Sequence, residues 1–206
     1  MILGAYNPAC LITLSGFLAA VGAIVLASVG RIEFALACLI LAGLADLFDG
    51  VVARRLTRSE YDKEFGAQLD TVVDVVAFVL APFVIALGAG LRSPPALVLM
   101  AVFAVAGAVR LAHFNTLSAR GADQSTHHRG LPVTYTALIF PVLFVLRDAV
   151  PAATFRLLLG VAFPLIAAAF VTDRPVRKPH GVFYALFPVL GVVLIAYWIW
   201  RGLAAL

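Results

Sequence analysis

At 206 residues, the chain is 63% hydrophobic and 13% charged, where soluble domains are about 45–50% apolar and about 25% charged. With a mean hydropathy of +1.05, it is not a disulfide-stapled secreted scaffold, a disordered tail or an ordinary cytosolic enzyme. The net charge of +4 is spread between apolar runs, as basic loop residues are in polytopic membrane proteins, so no nucleic-acid partner is expected.

Met1 to Asn7 carry no basic side chain, so a signal-peptide n-region is not expected and the first apolar run should stay as a spanning helix. The apolar stretches are Leu11–Val29, Phe34–Ala45, Val75–Leu91, Ala96–Val109, Leu131–Leu146, Leu157–Val171 and Gly181–Trp200. A helix needs about 20 residues to cross a bilayer. To span, Phe34–Ala45 must continue through Asp46 and Asp49, and Ala96–Val109 through Arg110 and His113. Asp70 and Asp74 stand at the start of the third span. Charges within spans are costly and face a bundle interior or a wet cavity, so the short runs locate the active region.

Pro188 and Gly191 could split the last stretch in two. The expected fold is therefore all-α: a polytopic membrane bundle of six to eight transmembrane helices around a cytoplasm-facing polar cavity, in a single domain over 1–206. Cys10 and Cys38 have no metal-ligand or redox spacing and read as structural thiols. Gly16, Gly22 and Gly43 read as sites of close helix packing, and Trp198 and Trp200 as an interfacial belt.

If the segment from Arg54 to Phe65 is cytoplasmic, that side holds ten of the basic residues and the other side five. The positive-inside rule favours that orientation. It places the protein in the cell membrane with the acidic region facing the cytoplasm.

Asp46, Asp49, Gly50, Ala53 and Arg54 form D-x2-D-G-x2-A-R, and Gly66, Asp70 and Asp74 form G-x3-D-x3-D. Steps of three and four keep each set on one helical face. Two antiparallel helices meeting here would gather four carboxylates, whose repulsion hard divalent cations relieve. Mg²⁺ commonly completes its shell with substrate phosphates, and a phosphate ligand beside a membrane points to a nucleotide-activated lipid. Solvated helix-end carboxylates are the plain reading of any one aspartate, but a poor reading of four in two matched helical phases.

This pattern resembles the signature of the CDP-alcohol phosphatidyltransferases. The spacer Arg55–Phe65 is longer than is usual in that family. Asn7-Pro8 with Thr13, Phe65 to Asp70, Ala81-Pro82, Arg110 to Asn115, Arg129 to Pro132 and Arg177-Lys178-Pro179 resemble its phosphatidylserine synthase branch. The resemblance implies two divalent ions, Mg²⁺ or Mn²⁺, on Asp46, Asp49, Asp70 and Asp74, with Asp74 also the catalytic base. It implies nucleotide contacts from Asp46, Gly50, Ala53, Arg54 and Gly66. The implied substrates are CDP-diacylglycerol and L-serine, among membrane lipids and in a homodimer.

Arg110, Asn115 and Arg129 are the acceptor-binding candidates; Arg110 suits a carboxylate, which its guanidinium can hold bidentately. Arg110 and Asn115 could instead be snorkelling and capping groups, while Arg55 reads as an anchor. Choline, glycerol 3-phosphate and inositol phosphate are the alternative acceptors. A small cation transporter is the rival from another class, but it would show inverted repeats and interrupted helices, and the sequence has no internal repeat.

Overall fold

The first helix starts where the sequence supplies a cap. The Asn7 side-chain oxygen accepts a hydrogen bond from the Cys10 amide at 3.0 Å, and Pro8 takes the first helical position, where its missing N–H costs nothing. The computed structural model describes residues 4–120, 127–177 and 182–205, with backbone only at 127–129, 175–177 and 182–185. Its helices are α1 (Pro8–Ser28), α2 (Ile32–Ala53), α3 (Glu60–Asp74), α4 (Ala81–Gly88), α5 (Pro94–Ala119), α6 (Thr136–Phe144), α7 (Ala152–Val171) and α8 (Val182–Ala204).

A π-helical turn, Val75–Leu80, joins α3 to α4, so Glu60–Gly88 is one of six helical runs long and apolar enough to cross a membrane. A seventh pass is shorter: 3-10 turns at Val133–Tyr135 and Val145–Asp148 flank α6. Its far end is tied to the starts and ends of other passes. Arg147 donates to Glu33, at the start of α2, at 2.5 Å, and Arg201 near the end of α8 pairs with Asp148.

At the other end, residues 127–129 (β1) pair antiparallel with 175–177 (β2) in a short ribbon that bridges the chain before α6 and after α7. Gly130 is needed here. Its φ is +71°, and a Cβ would lie 2.5 Å from the Phe170 carbonyl. The passes alternate, so the described chain begins at the ribbon end and finishes at the clamp end.

Small residues set the spacing of the helices. A Cβ on Gly16 would lie 2.9 Å from the Ala45 Cβ, and one on Gly43 2.6 Å from the Ala137 Cβ. Gly22 is in looser contact, where a Cβ would lie 3.8 Å from the Cys38 Sγ. Elsewhere aromatic rings fill the gap: Phe103, Phe140, Phe163 and Phe170 lock α5, α6 and α7 together, with centroids between 4.9 and 6.0 Å.

Four expectations need correction. Pro188 and Gly191 do not split the last span: α8 runs through both, and Gly191 packs on Leu44 and Ile40 of α2. Trp198 is buried in the core rather than in an interfacial belt, whereas Trp200 is exposed. The connection after α2 is shorter than the Arg55–Phe65 spacer because α3 already begins at Glu60. There Ser59 and Asp62 form a reciprocal capping box. Gly66, Asp70 and Asp74 therefore lie well inside a helix and not at its start.

Candidate active site

Asp46 and Asp49 lie in the last turns of α2, and Asp70 and Asp74 in the last turns of α3. The helices are antiparallel, and this brings the two acidic faces together. One carboxylate oxygen from each of Asp46, Asp49 and Asp70 lies within 4.8 Å of the others. Asp74 sits next to them, buried, and its Oδ1 has no hydrogen-bond partner. Among the described residues, no arginine or lysine forms an ion pair with any of the four.

Asp49 and Asp74 are buried and Asp46 and Asp70 half-buried; carboxylates this close repel one another, and the orphaned Asp74 oxygen lacks the compensation that burial demands. An all-oxygen set of this kind fits a hard divalent cation. Asp46, Asp49 and Asp70 could hold one, with Asp74 beside it.

Three of these groups, Asp46, Asp70 and Asp74, border a cavity of about 390 Å³. Asp46, Gly50, Arg54, Asp70 and Asp74 form its acidic side. Arg54 folds back over its own helix, so that a Cβ on Gly50 would lie 3.7 Å from the Arg54 Nη1. Asp49 is not in the wall. It is buried behind it and accepts a hydrogen bond from the Thr13 hydroxyl at 2.5 Å.

Further wall residues come from α5 and the turn before α6. Arg110 is buried, its Nε has no partner, and its guanidinium carbon lies 5.5 Å from the centre of the Phe114 ring. Thr134, Tyr135 and Phe187 also line the cavity, the last two stacked at 5.3 Å. The sequence reading missed all three. Their only signal was proximity to Pro132 or to Pro188, which indicates turns and kinks but not a cavity.

The remaining candidates lie elsewhere. Asn115 donates from Nδ2 to the Thr71 Oγ1 at 2.5 Å, joining α5 to α3, and does not line the cavity. Ala53 and Gly66 are also outside its wall; a Cβ on Gly66 would meet Arg58 at 3.8 Å. Arg129 is in β1, where the backbone alone is described. Lys178 and Pro179 lie outside the described residues.

The geometry after Asp74 has a definite cause. Pro82 has no N–H to donate to the Phe78 carbonyl one turn back, and the helix widens into the π turn just before it. The freed Phe78 carbonyl lies 2.9 Å from the buried Thr136 hydroxyl, whose single proton it shares with the equally close Val133 carbonyl. Thr136 thus fastens the seventh pass to the helix that carries Asp70 and Asp74.

Comparison with known proteins agrees with the site. Residues 6–173 match the family model described as CDP-alcohol phosphatidyltransferase. The chain is 34% identical over 129 residues to the CDP-diacylglycerol–serine O-phosphatidyltransferase of Saccharomyces cerevisiae, an alignment covering 57% of this chain and 46% of the yeast protein. It is 31% identical over 145 residues to the protein of the same name from Methanocaldococcus jannaschii, covering 70% and 64%. To the archaetidylserine synthase of Methanothermobacter thermautotrophicus it is 28% identical over 167 residues, covering 81% and 65%. The chain thus spans about half to two thirds of the length of these relatives. A match over most of the chain, which includes both acidic helices, settles the family: this polytopic helical protein belongs to the CDP-alcohol phosphatidyltransferases.

Proposed function

We propose that the protein transfers a phosphatidyl group from CDP-diacylglycerol to L-serine, giving phosphatidylserine and CMP in phospholipid biosynthesis. The observation that carries this reading is the cluster of Asp46, Asp49 and Asp70 beside a cavity that Asp46 and Asp70 line, in a chain of this family. Serine is favoured because all three named relatives are serine transferases or synthases.

In this reading the four aspartates would hold one or two divalent ions, Mg²⁺ or Mn²⁺, which when bound neutralise the diphosphate and the departing CMP. Gly50 and Arg54 take the nucleotide, with Asp46 beside it. A nucleotide that also reaches Ala53 and Gly66 extends out of the cavity toward Arg58. The serine hydroxyl attacks the phosphorus that carries the diacylglycerol. The new O–P bond forms as the bond from that phosphorus to CMP breaks. Asp74, buried and with a free oxygen, accepts the hydroxyl proton.

Arg110 lines the same cavity as Asp46, Asp70 and Asp74 and holds the serine carboxylate. Asn115 bears on the acceptor only through the α3–α5 contact, and Arg129 is the next candidate for the carboxylate. The proposal includes a cytoplasm-facing active site in the cell membrane and, as the family resemblance implies, a homodimer. Purified protein in detergent should release CMP from CDP-diacylglycerol only with serine and a divalent ion present. CMP release that is unaffected by a chelator would contradict the reading.

A further inference from the structure

Asp49 is one of the three clustered carboxylates, yet it is the one outside the cavity wall. It therefore has to be held from behind. The group that reaches it belongs to α1, a helix that contributes no residue to that wall. Thr13 is buried, and its hydroxyl lies 2.5 Å from the Asp49 Oδ2 and 3.1 Å from the Ala9 carbonyl. A hydroxyl has one proton to give. The nearer acceptor, a carboxylate, takes it, which leaves the other Asp49 oxygen unclaimed by Thr13.

We propose that Thr13 is a positioning residue for the divalent-ion site, orienting the Asp49 carboxylate toward Asp46 and Asp70. This rests on the reading that those three aspartates bind divalent ions. The packing around the pair supports it. Gly16, one turn along α1 from Thr13, meets Ala45, one turn before Asp49, with room for no more than a hydrogen: a Cβ there would lie 2.9 Å from the Ala45 Cβ. That close approach brings a side chain as short as threonine within reach of α2. Groups that orient a metal-bound carboxylate typically change metal affinity about 10- to 100-fold when removed.

The test measures Mn²⁺ binding directly, without substrate, from the loss of the free-Mn²⁺ electron paramagnetic resonance signal on titration of the full chain in detergent. Thr13→Val keeps the shape and removes the donor. Thr13→Ala removes the donor without added bulk and covers the case in which the valine variant does not fold. Both should weaken Mn²⁺ binding roughly 10- to 100-fold, while Thr13→Ser, which keeps the hydroxyl, should bind close to wild type. A loss of thermal stability in Thr13→Val and Thr13→Ala with wild-type Mn²⁺ affinity would overturn the proposal, leaving Thr13 a helix-packing residue. Failure of the wild-type protein to bind Mn²⁺ would instead overturn the metal reading itself, and the inference with it.

Discussion

Asp46 and Asp49 stand three residues apart on α2 but meet different surroundings: Asp46 borders the cavity, and Asp49 is covered by α1. Asp70 and Asp74 both border it from α3. Because each carboxylate supplies charge that no arginine offsets, Asp46→Asn, Asp49→Asn and Asp70→Asn should each slow CMP release roughly a hundredfold or more, the scale on which loss of one charge-stabilising group slows an enzyme. Activity near wild type in any two of these variants, measured at saturating Mn²⁺, would contradict that. Arg110 has a different task. Its loss should raise the serine KM about 10- to 100-fold, the worth of a hydrogen-bonded charge, with little change in the KM for CDP-diacylglycerol. Steady-state kinetics of Arg110→Ala separate the two effects. If the serine KM does not move, the carboxylate is held elsewhere and Arg129 is the next residue to vary.

At the scale of elements, the decisive joint is the one between the π turn and the seventh pass. Thr136→Val removes the hydroxyl that satisfies the Phe78 carbonyl freed by Pro82, and should cost about 1–3 kcal/mol of stability, the penalty for one buried unsatisfied acceptor. Thermal unfolding in detergent would show it as a lowered Tm. An unchanged Tm would mean that another donor serves the carbonyl. This joint also marks the limit of what was legible in the sequence. The two acidic faces could be read because three- and four-residue steps are local properties of a helix. The joint could not: Pro82 marks a lost donor, but the partner of the freed Phe78 carbonyl lies 58 residues away in the chain. For the same reason the bond from Asn115, an acceptor-binding candidate, to Thr71, 44 residues earlier, has no signature in the local sequence. Trp198 was misplaced because a tryptophan near a span end reads the same whether it faces lipid or the core. The Asp49–Thr13 bond was equally hidden, although both residues had been singled out separately.

For the whole molecule, seven passes put the acidic cavity and the α6–α7 ribbon at one end and the Glu33–Arg147 and Asp148–Arg201 pairs at the other. In the proposed orientation, which the basic residues counted along the sequence favour, the cavity end faces the cytoplasm. Cysteines introduced at the exposed Thr57, beside the cavity end, and at the exposed Ser93, before α5, should then be labelled from opposite sides of sealed vesicles, Thr57→Cys from the cytoplasmic side alone. Labelling of Ser93→Cys from the cytoplasm instead would turn the nucleotide site outward and contradict the mechanism. The central claim is tested most directly by the lipid product. Purified protein, given CDP-diacylglycerol, Mn²⁺ and an equimolar mixture of serine, choline, glycerol 3-phosphate and inositol phosphate, is analysed by mass spectrometry of the extracted lipids. The account predicts phosphatidylserine as the new lipid, absent when Asp70→Asn replaces the wild type. A phosphatidyl product carrying another headgroup, or phosphatidylserine made equally well by Asp70→Asn, would contradict it.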